Sequence, residues 1–307
     1  MIEIRRVLCP IDFSDFSRRA LDHAVAIAKW YKSTITVKHV RPILAPAAYA
    51  PGSSALSSTA LTPKERDDLL ASMKRFAEAE AGSTVPIEFE LYEGNTAGAI
   101  LAKADEMHCD MLVMGTHGRS GFEHLVLGSV TEKVLRRAGC PVLSVPRLAA
   151  DAVPAPPVLF RRIVCAIDFS ECSMHALDYA LSLAQEANAQ LLVVHVIEVP
   201  PDLPPDVHET ILGGPHSLRE YIAAAEEDRR GRLQDAIPEH MRMRGVVETV
   251  LATGKAYREI LHVAAEREGD LIVIGTHSGV AHRLFFGSTA QHVVRQASVP
   301  VLTLRAG

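Results

Sequence analysis

Apolar positions follow two rhythms along the chain. Short, nearly continuous runs predict strands at Ile4 to Ile11, Thr34 to Val40, Ile87 to Leu91 and Met111 to Met114, with one more opening at Cys140-Pro141. Between them, apolar residues recur at helical spacing. Ala20, Leu21, Ala24, Ile27 and Ala28 predict a helix reaching Trp30 and broken at Ser33. Leu69, Leu70, Met73, Phe76 and Ala77 predict another after Pro63, and further helices are expected from Thr96 through Met107 and over Val130 to Ala138. Ser14, Asp15 and Ser17 are each able to cap the first helix, and Asp12 is a further capping candidate. Nearly continuous apolar strands, alternating with helices, imply a parallel sheet covered on both faces.

The same order then returns. CPIDFSDFS (Cys9 to Ser17) recurs as CAIDFSECS (Cys165 to Ser173), and VKHV (Val37 to Val40) as VVHV (Val193 to Val196). The segment from Met111 to Val145 recurs as Asp270 to Leu304, with its Gly-Thr-His turn, Gly-Ser step and closing Pro-Val-Leu strand. The second copy predicts strands Ile163 to Ile167, Gln190 to Val196, Val246 to Leu251 and Val299 to Leu304. Its helices are expected near Met174 to Glu186, Ser217 to Ala236 and Tyr257 to Glu268. A period as long as a whole domain means duplication rather than a solenoid. The expected organisation is a first domain over residues 1–147, a Pro/Ala-rich linker over 148–158 and a second domain over 159–307. Arg41 to Pro63 and Glu198 to Pro215 are long Pro-rich loops, and composition leaves open whether the first is a lid or unstructured.

Composition narrows the class. At 307 residues each half can bury its own core. With 48% apolar residues and a mean hydropathy of +0.11, the chain has the make-up of a soluble protein, and no apolar run is long enough to cross a bilayer. The N-terminal MIEIRRVLCP lacks the sections of a signal peptide, so a cytoplasmic location is expected. A net charge of -5 argues against a nucleic-acid partner. The five cysteines form no CxxC pair and read as buried free thiols in a reducing compartment.

Chemistry concentrates where strands end. Gly115-x2-Gly118-x9-Gly128-Ser129 reads as strand, glycine loop and helix start, an arrangement suited to cradle an anion on backbone amides. Asp12 ends another strand, and parallel sheets bind ligands beyond the carboxyl ends of strands where strand order reverses. His39 and His195 read as core histidines with a hydrogen-bonded partner, and His117 and His277 as loop residues. The histidines have no metal-ligand spacing. The chain lacks GxxxxGK(S/T), GxGxxG and GxSxG motifs, and Gly254-Lys255 lacks the residues a phosphate loop needs around it.

These residues together resemble the universal stress protein family in its tandem form, and the resemblance covers nearly all of both halves. It implies two Rossmann-like domains, related to the adenine nucleotide alpha hydrolases. Each would be a five-stranded parallel sheet of order 3-2-1-4-5 flanked by helices. It also implies an adenine-nucleotide ligand: ATP, with ADP or AMP as alternatives, and Mg2+ accompanying it. By position, Asp12 would take the ribose hydroxyls, and Pro10, Ile11 and Val40 the adenine. Met114, Gly115 and Gly118 would line the loop, while Gly128, Ser129 and Val130 would hold phosphates. Arg119 is added here as a charge partner for a terminal phosphate. The second set is Ala166, Ile167, Asp168, Val196, Ile274, Gly275, Gly287, Ser288 and Thr289. There Ser278 replaces the middle glycine, only eight residues separate it from Gly287, and Gly279 is a candidate to compensate.

The function so implied is a nucleotide-dependent regulator in stress response, not an efficient enzyme. The alternatives are a slow ATPase switch and an adaptor without bound nucleotide. The resemblance further implies an intramolecular pseudo-dimer of the two domains through their final strands, with a homodimer of the chain as a further expectation and no membrane partner.

Overall fold

The computed structural model describes residues 2–43, 61–81, 85–117, 127–146, 160–198, 218–243, 245–276 and 287–305. The expected linker, most of both Pro-rich loops, Gly118, Arg119, His277, Ser278 and Gly279 lie outside the described residues. The chain divides into two compact units, one built mainly on Glu3–Leu159 and the other on Phe160–Ser278 with Gly287–Ala306.

In the first unit the elements are β1 (Arg6–Ile11), α1 (Asp15–Tyr31), β2 (Thr34–Arg41), α2 (Pro63–Ala81), β3 (Ile87–Glu93), α3 (Thr96–Glu106), β4 (Met111–Gly115), α4 (Ser129–Arg137) and β5 (Val142–Val145). All pairings are parallel, in the order β3-β2-β1-β4-β5. Helices α1 and α2 pack together on the sheet, and α3 packs with α4. The central strand β4 is buried at every position, as a strand covered on both faces requires. Val7, Leu8, Ile35, Leu112 and Val113 are fully buried, and a side chain of that size contributes about 1.5–3 kcal/mol when it leaves water.

Local chemistry sets the helix ends. Of the capping candidates, Ser14 is the cap of α1: its hydroxyl accepts from the Ser17 amide at 3.3 Å. The helix closes on Lys32 in the left-handed conformation, whose amide donates to Ala28, and the buried Ser33 hydroxyl donates to the Ile4 carbonyl. Asn95 caps α3, accepting from the Gly98 amide at 2.8 Å. Helix α2 starts with Pro63, where a missing N–H is harmless. Thr62 and Glu65 bond reciprocally around it as a capping box.

The second unit repeats the plan: β6 (Arg162–Ala166), α5 (Glu171–Ala187), β7 (Gln190–Ile197), α6 (Leu218–Asp235), α7 (Glu239–Met243), β8 (Val247–Thr253), α8 (Ala256–Glu266), β9 (Leu271–Thr276), α9 (Ser288–Gln296) and β10 (Val301–Arg305). Its strands are parallel in the order β8-β7-β6-β9-β10. Ser170 caps α5, and Asn188 closes it in the left-handed conformation. The short α7 was not expected from the sequence; it follows Pro238, whose carbonyl accepts from the Met241 amide at 2.9 Å. Among the described residues no helix is long and apolar enough to cross a membrane.

Candidate functional site

The site is built from strand ends. In the first unit Ile11 pairs with His39, so Asp12 and Val40 leave adjacent strands side by side. The chain then turns sharply: Phe13 has φ 64, in the left-handed region that bulky residues avoid. Asp12 Oδ1 accepts from both the amide and the hydroxyl of Ser14, holding the turn in place. The Phe13 ring packs on His39 and edge-on to Phe76, at 4.8 Å and 5.5 Å between centroids. His39 Nδ1–H donates to the Ile11 carbonyl at 2.8 Å.

The second unit rebuilds this turn. Phe169 has φ 63 and packs on His195 at 4.6 Å; His195 Nδ1–H donates to Ile167, and Asp168 Oδ1 accepts from the Ser170 amide. Burial holds the His195 imidazole below the usual histidine range. Both strand-2 histidines therefore have the hydrogen-bonded partner expected of them.

The end of the fourth strand fixes the other wall. Gly115 and Gly275 lack side chains for a reason the motif alone did not reveal. A Cβ on Gly115 would lie 2.8 Å from Phe16 Cβ and 3.1 Å from its backbone, and one on Gly275 only 2.5 Å from the Cys172 carbonyl oxygen. These glycines let the first turn of α1 or α5 press against the sheet. Beyond the glycine, the Gly128 amide donates to Thr116 at 2.9 Å and the Thr131 hydroxyl donates to Gly115 at 2.9 Å. Together they dock the start of α4 on the end of β4.

Neither α4 nor α9 has a side-chain cap at its first turn, whereas α1, α3 and α5 do. Uncapped amides at a helix N-terminus suit an anion. Ser129 and Ser288 occupy the exposed first positions of these helices.

In the second unit all nine expected residues line one cavity of about 190 Å³: Ala166, Ile167 and Asp168 from the end of β6, Val196 from β7, Ile274 and Gly275 from β9, and Gly287, Ser288 and Thr289 at the start of α9. Among the described residues, Ser173, Val194, Ala256, Ile260 and Ala290 also line it and were not anticipated. Ala256 and Ile260 share one face of α8 by their i, i+4 spacing, which in the sequence alone reads as ordinary packing. In the first unit Pro10, Ile11, Asp12, Val40, Met114, Gly115, Gly128, Ser129 and Val130 occupy the matching strand ends and helix start. Met114, Ile11 and Val40 are almost fully buried there. His117 Nδ1 lies 3.0 Å from the Thr116 hydroxyl, and its ring packs on Phe16.

A parallel sheet with its order reversing beside β1, an aspartate closing that strand and an uncapped helix start docked on β4 define a Rossmann-like α/β domain with its cleft at the switch point. The chain holds two of them, and it belongs to the universal stress protein family, whose description matches residues 3–146 and again 159–305. Universal stress protein MJ0531 of Methanocaldococcus jannaschii is 39% identical over 144 residues, 46% of this chain and 81% of the relative. Universal stress protein Mb2346c of Mycobacterium bovis is 24% identical over 299 residues, 93% of this chain and 94% of its own. The crystal structure of a universal stress protein from Archaeoglobus fulgidus has the same fold, with a TM-score of 0.67 at 23% identity over 98% of each chain.

Proposed function

We propose that this protein binds an adenine nucleotide in its first unit and uses it as an effector in the stress response, not as the substrate of an efficient enzyme. The observation that carries the reading is the convergence of Asp168, the β6, β7 and β9 ends and the α9 start on one cavity, at positions that the first unit repeats with the full glycine spacing. An aspartate at the end of the first strand suits two ribose hydroxyls, and the uncapped first turn of α4 suits the phosphates. Gly118 belongs to the same glycine spacing, and Arg119 would pair with a terminal phosphate. Mg2+ would come with the phosphates, as it does where no dedicated protein cage exists.

The second cavity, at about 190 Å³, lies below the roughly 300–1,000 Å³ of typical ligand clefts. It keeps the nucleoside-facing residues without the phosphate-facing glycine, so we assign it the weaker affinity. Five free thiols fit a reducing cytoplasm. A ligand shifts a conformational equilibrium only by its preference for one state, so the regulatory reading requires ATP-bound and ATP-free forms to differ in partner affinity.

Nucleotide extracted from freshly purified full-length protein and identified by mass spectrometry tests this. A single ATP per chain is expected. It should be absent from Asp12→Ala and retained in Asp168→Ala. Losing a charge-assisted hydrogen bond removes about 1.5–3 kcal/mol, a roughly 10- to 100-fold weakening. No retained nucleotide, with no heat on titrating ATP-magnesium into the wild type, would leave the adaptor alternative standing.

A further inference from the structure

At the end of the first-unit sheet opposite the candidate site, two cysteines meet. Cys109 lies in the turn after α3 and Cys140 in the turn after α4, each just before a strand. The Leu112 amide donates to the Pro141 carbonyl at 2.9 Å, and the ladder pairs Leu112 with Val142. Two residues upstream, Cys140 therefore stands across from Asp110, with Cys109 next to it. Contact between the two thiols holds Cys109 below the usual thiol range and pushes Cys140 up.

Cys109 Sγ also lies 3.0 Å from the Met111 carbonyl oxygen, which limits its rotation. Cys109 is 7% exposed, while Cys140 is only half-buried and opens the pair to solvent. Neighbouring parallel strands run about 4.7–4.9 Å apart, and Cys109 is one residue from the register partner of Cys140, so the two backbones run at the close spacing that a disulfide, with Cα atoms about 4.4–6.8 Å apart, requires.

The other cysteines offer no such arrangement. Cys9 and Cys165 are fully buried within strands, and burial pushes their thiols well above the usual range. In the second unit the positions of the pair are held by Gly269 and Val299, so the arrangement is particular to the first.

We propose that Cys109 and Cys140 are a peroxide-responsive dithiol that closes to an intramolecular disulfide at the amino-terminal ends of β4 and β5. With its thiol held below the usual range by that contact, Cys109 is the attacking sulfur. Its thiolate attacks a peroxide oxygen: the S–O bond forms, the O–O bond breaks and hydroxide leaves. The Cys140 sulfur then displaces the sulfenic oxygen, which departs as water once protonated, and the S–S bond forms. Two thiols are oxidised and one hydrogen peroxide is reduced to two waters. A small dithiol reductant reverses the step by exchange, itself leaving as a disulfide. The pair is remote from Asp12 and independent of nucleotide binding.

The test uses the full-length protein treated with hydrogen peroxide, denatured, counted for thiols and digested with trypsin. Titratable thiols should fall from the five present when reduced to three. Peptides 104–119 and 138–147 should appear as one cross-linked species lighter by two hydrogens, and dithiothreitol should separate them. Cys140→Ser should give no cross-link. A thiol count unchanged by peroxide, a cross-link joining other cysteines, or sulfinate at Cys109 or Cys140 without the joined peptides would each overturn the proposal.

Discussion

The two units carry one fold and differ in how they fill equivalent polar positions. In the first, Lys38 on β2 is 2% exposed, and its ammonium lies 2.6 Å from Glu90 on β3; Lys103 on α3 reaches the other oxygen of Glu90 at 3.1 Å. Burial alone would raise the Glu90 carboxyl, but the two lysines outweigh it and hold it below the usual range. The corresponding residues of the second unit are Val194, Val250 and Val263, and Val194 lines the cavity there. The same site in the same fold thus accepts an ionic triad or three valines. Apolar groups of suitable shape can replace a satisfied buried ion pair, because desolvation offsets most of the Coulomb gain.

The helix starts differ too. Gly128 has φ -57 and Gly287 has φ 78, a conformation open mainly to glycine. The residue just before the helix therefore has a different backbone conformation in each unit. Thr131, which ties α4 to Gly115, is Ala290 in the second copy. The copies share what packing requires and diverge where a ligand or an ion pair would be served.

The sharpest way to break this comparison is to leave the triad half made. Glu90→Val strands Lys38 with no carboxylate, and removing one partner of a buried pair costs about 3–5 kcal/mol. Hydrogen exchange in β2 and α3 should accelerate accordingly, while the triple change to Lys38→Val, Glu90→Val and Lys103→Val should restore most of the protection. A triple variant no better than the single one would show that the valine solution is not transferable.

Next come the strand-end glycines. Gly275→Ala should destabilise the second unit more than Gly115→Ala does the first. The added methyl would meet backbone at 2.5 Å in one case and a side-chain carbon at 2.8 Å in the other. Overpacking of this kind costs about 1–3 kcal/mol, and urea unfolding followed by exchange in each unit's helices reads the order. Equal losses would mean that α1 and α5 yield alike.

A smaller effect is expected at the helix docking bond. Thr131→Ala should loosen the start of α4 by about 0.5–1.5 kcal/mol, seen as faster exchange there, whereas Ala290→Thr should slow exchange at the start of α9 if the backbone conformation there permits the same bond.

The smallest difference is set by pH. Asp110 accepts from the Arg5 and Arg6 amides and the Arg6 guanidinium. Burial acts upward on its carboxyl, but these bonds prevail and hold it below the usual range. Asp270 accepts from the Arg161 and Arg162 amides, yet burial dominates and raises it. Arg162 instead donates to the Arg267 carbonyl and Glu268. Asp110 therefore adds stability that is complete above the unfolded value near 3.9 and disappears as pH falls through its lower folded value. Asp270 has the opposite sign: its cost is present above its raised folded value and relieved as pH falls through it. Urea unfolding at neutral and acid pH should show Asp110→Asn destabilising the protein at neutral pH only, with Asp270→Asn nearer neutral throughout.

Much of this was readable in the chain. The strand and helix rhythm placed most elements within a few residues, because the inner strands are nearly continuous apolar runs and the helices carry an apolar stripe. Asp12 and Asp168 were legible from a repeated nine-residue string. Ser173, Ala256 and Ile260 were not singled out, since a serine in a first helical turn and small apolar residues on a helix look like ordinary packing until α5 and α8 are laid on the sheet. Asp110 and Asp270 each stand just before a strand, and their grip on the amides at the starts of β1 and β6 spans a sequence separation that no local pattern encodes.

By itself the sequence determined the duplication, the element order, the parallel α/β class and the strand ends where chemistry gathers, because periodicity and repetition are local and additive along the chain. The tertiary structure alone decided that Gly115 and Gly275 are demanded by helix contact, that Phe13 and Phe169 sit in left-handed turns against histidines, that Lys38 is buried against Glu90, and that Cys109 and Cys140 come together before adjacent strands. Each depends on which residues the parallel register brings together across strands far apart in sequence, and that register is fixed by the packing of the whole sheet.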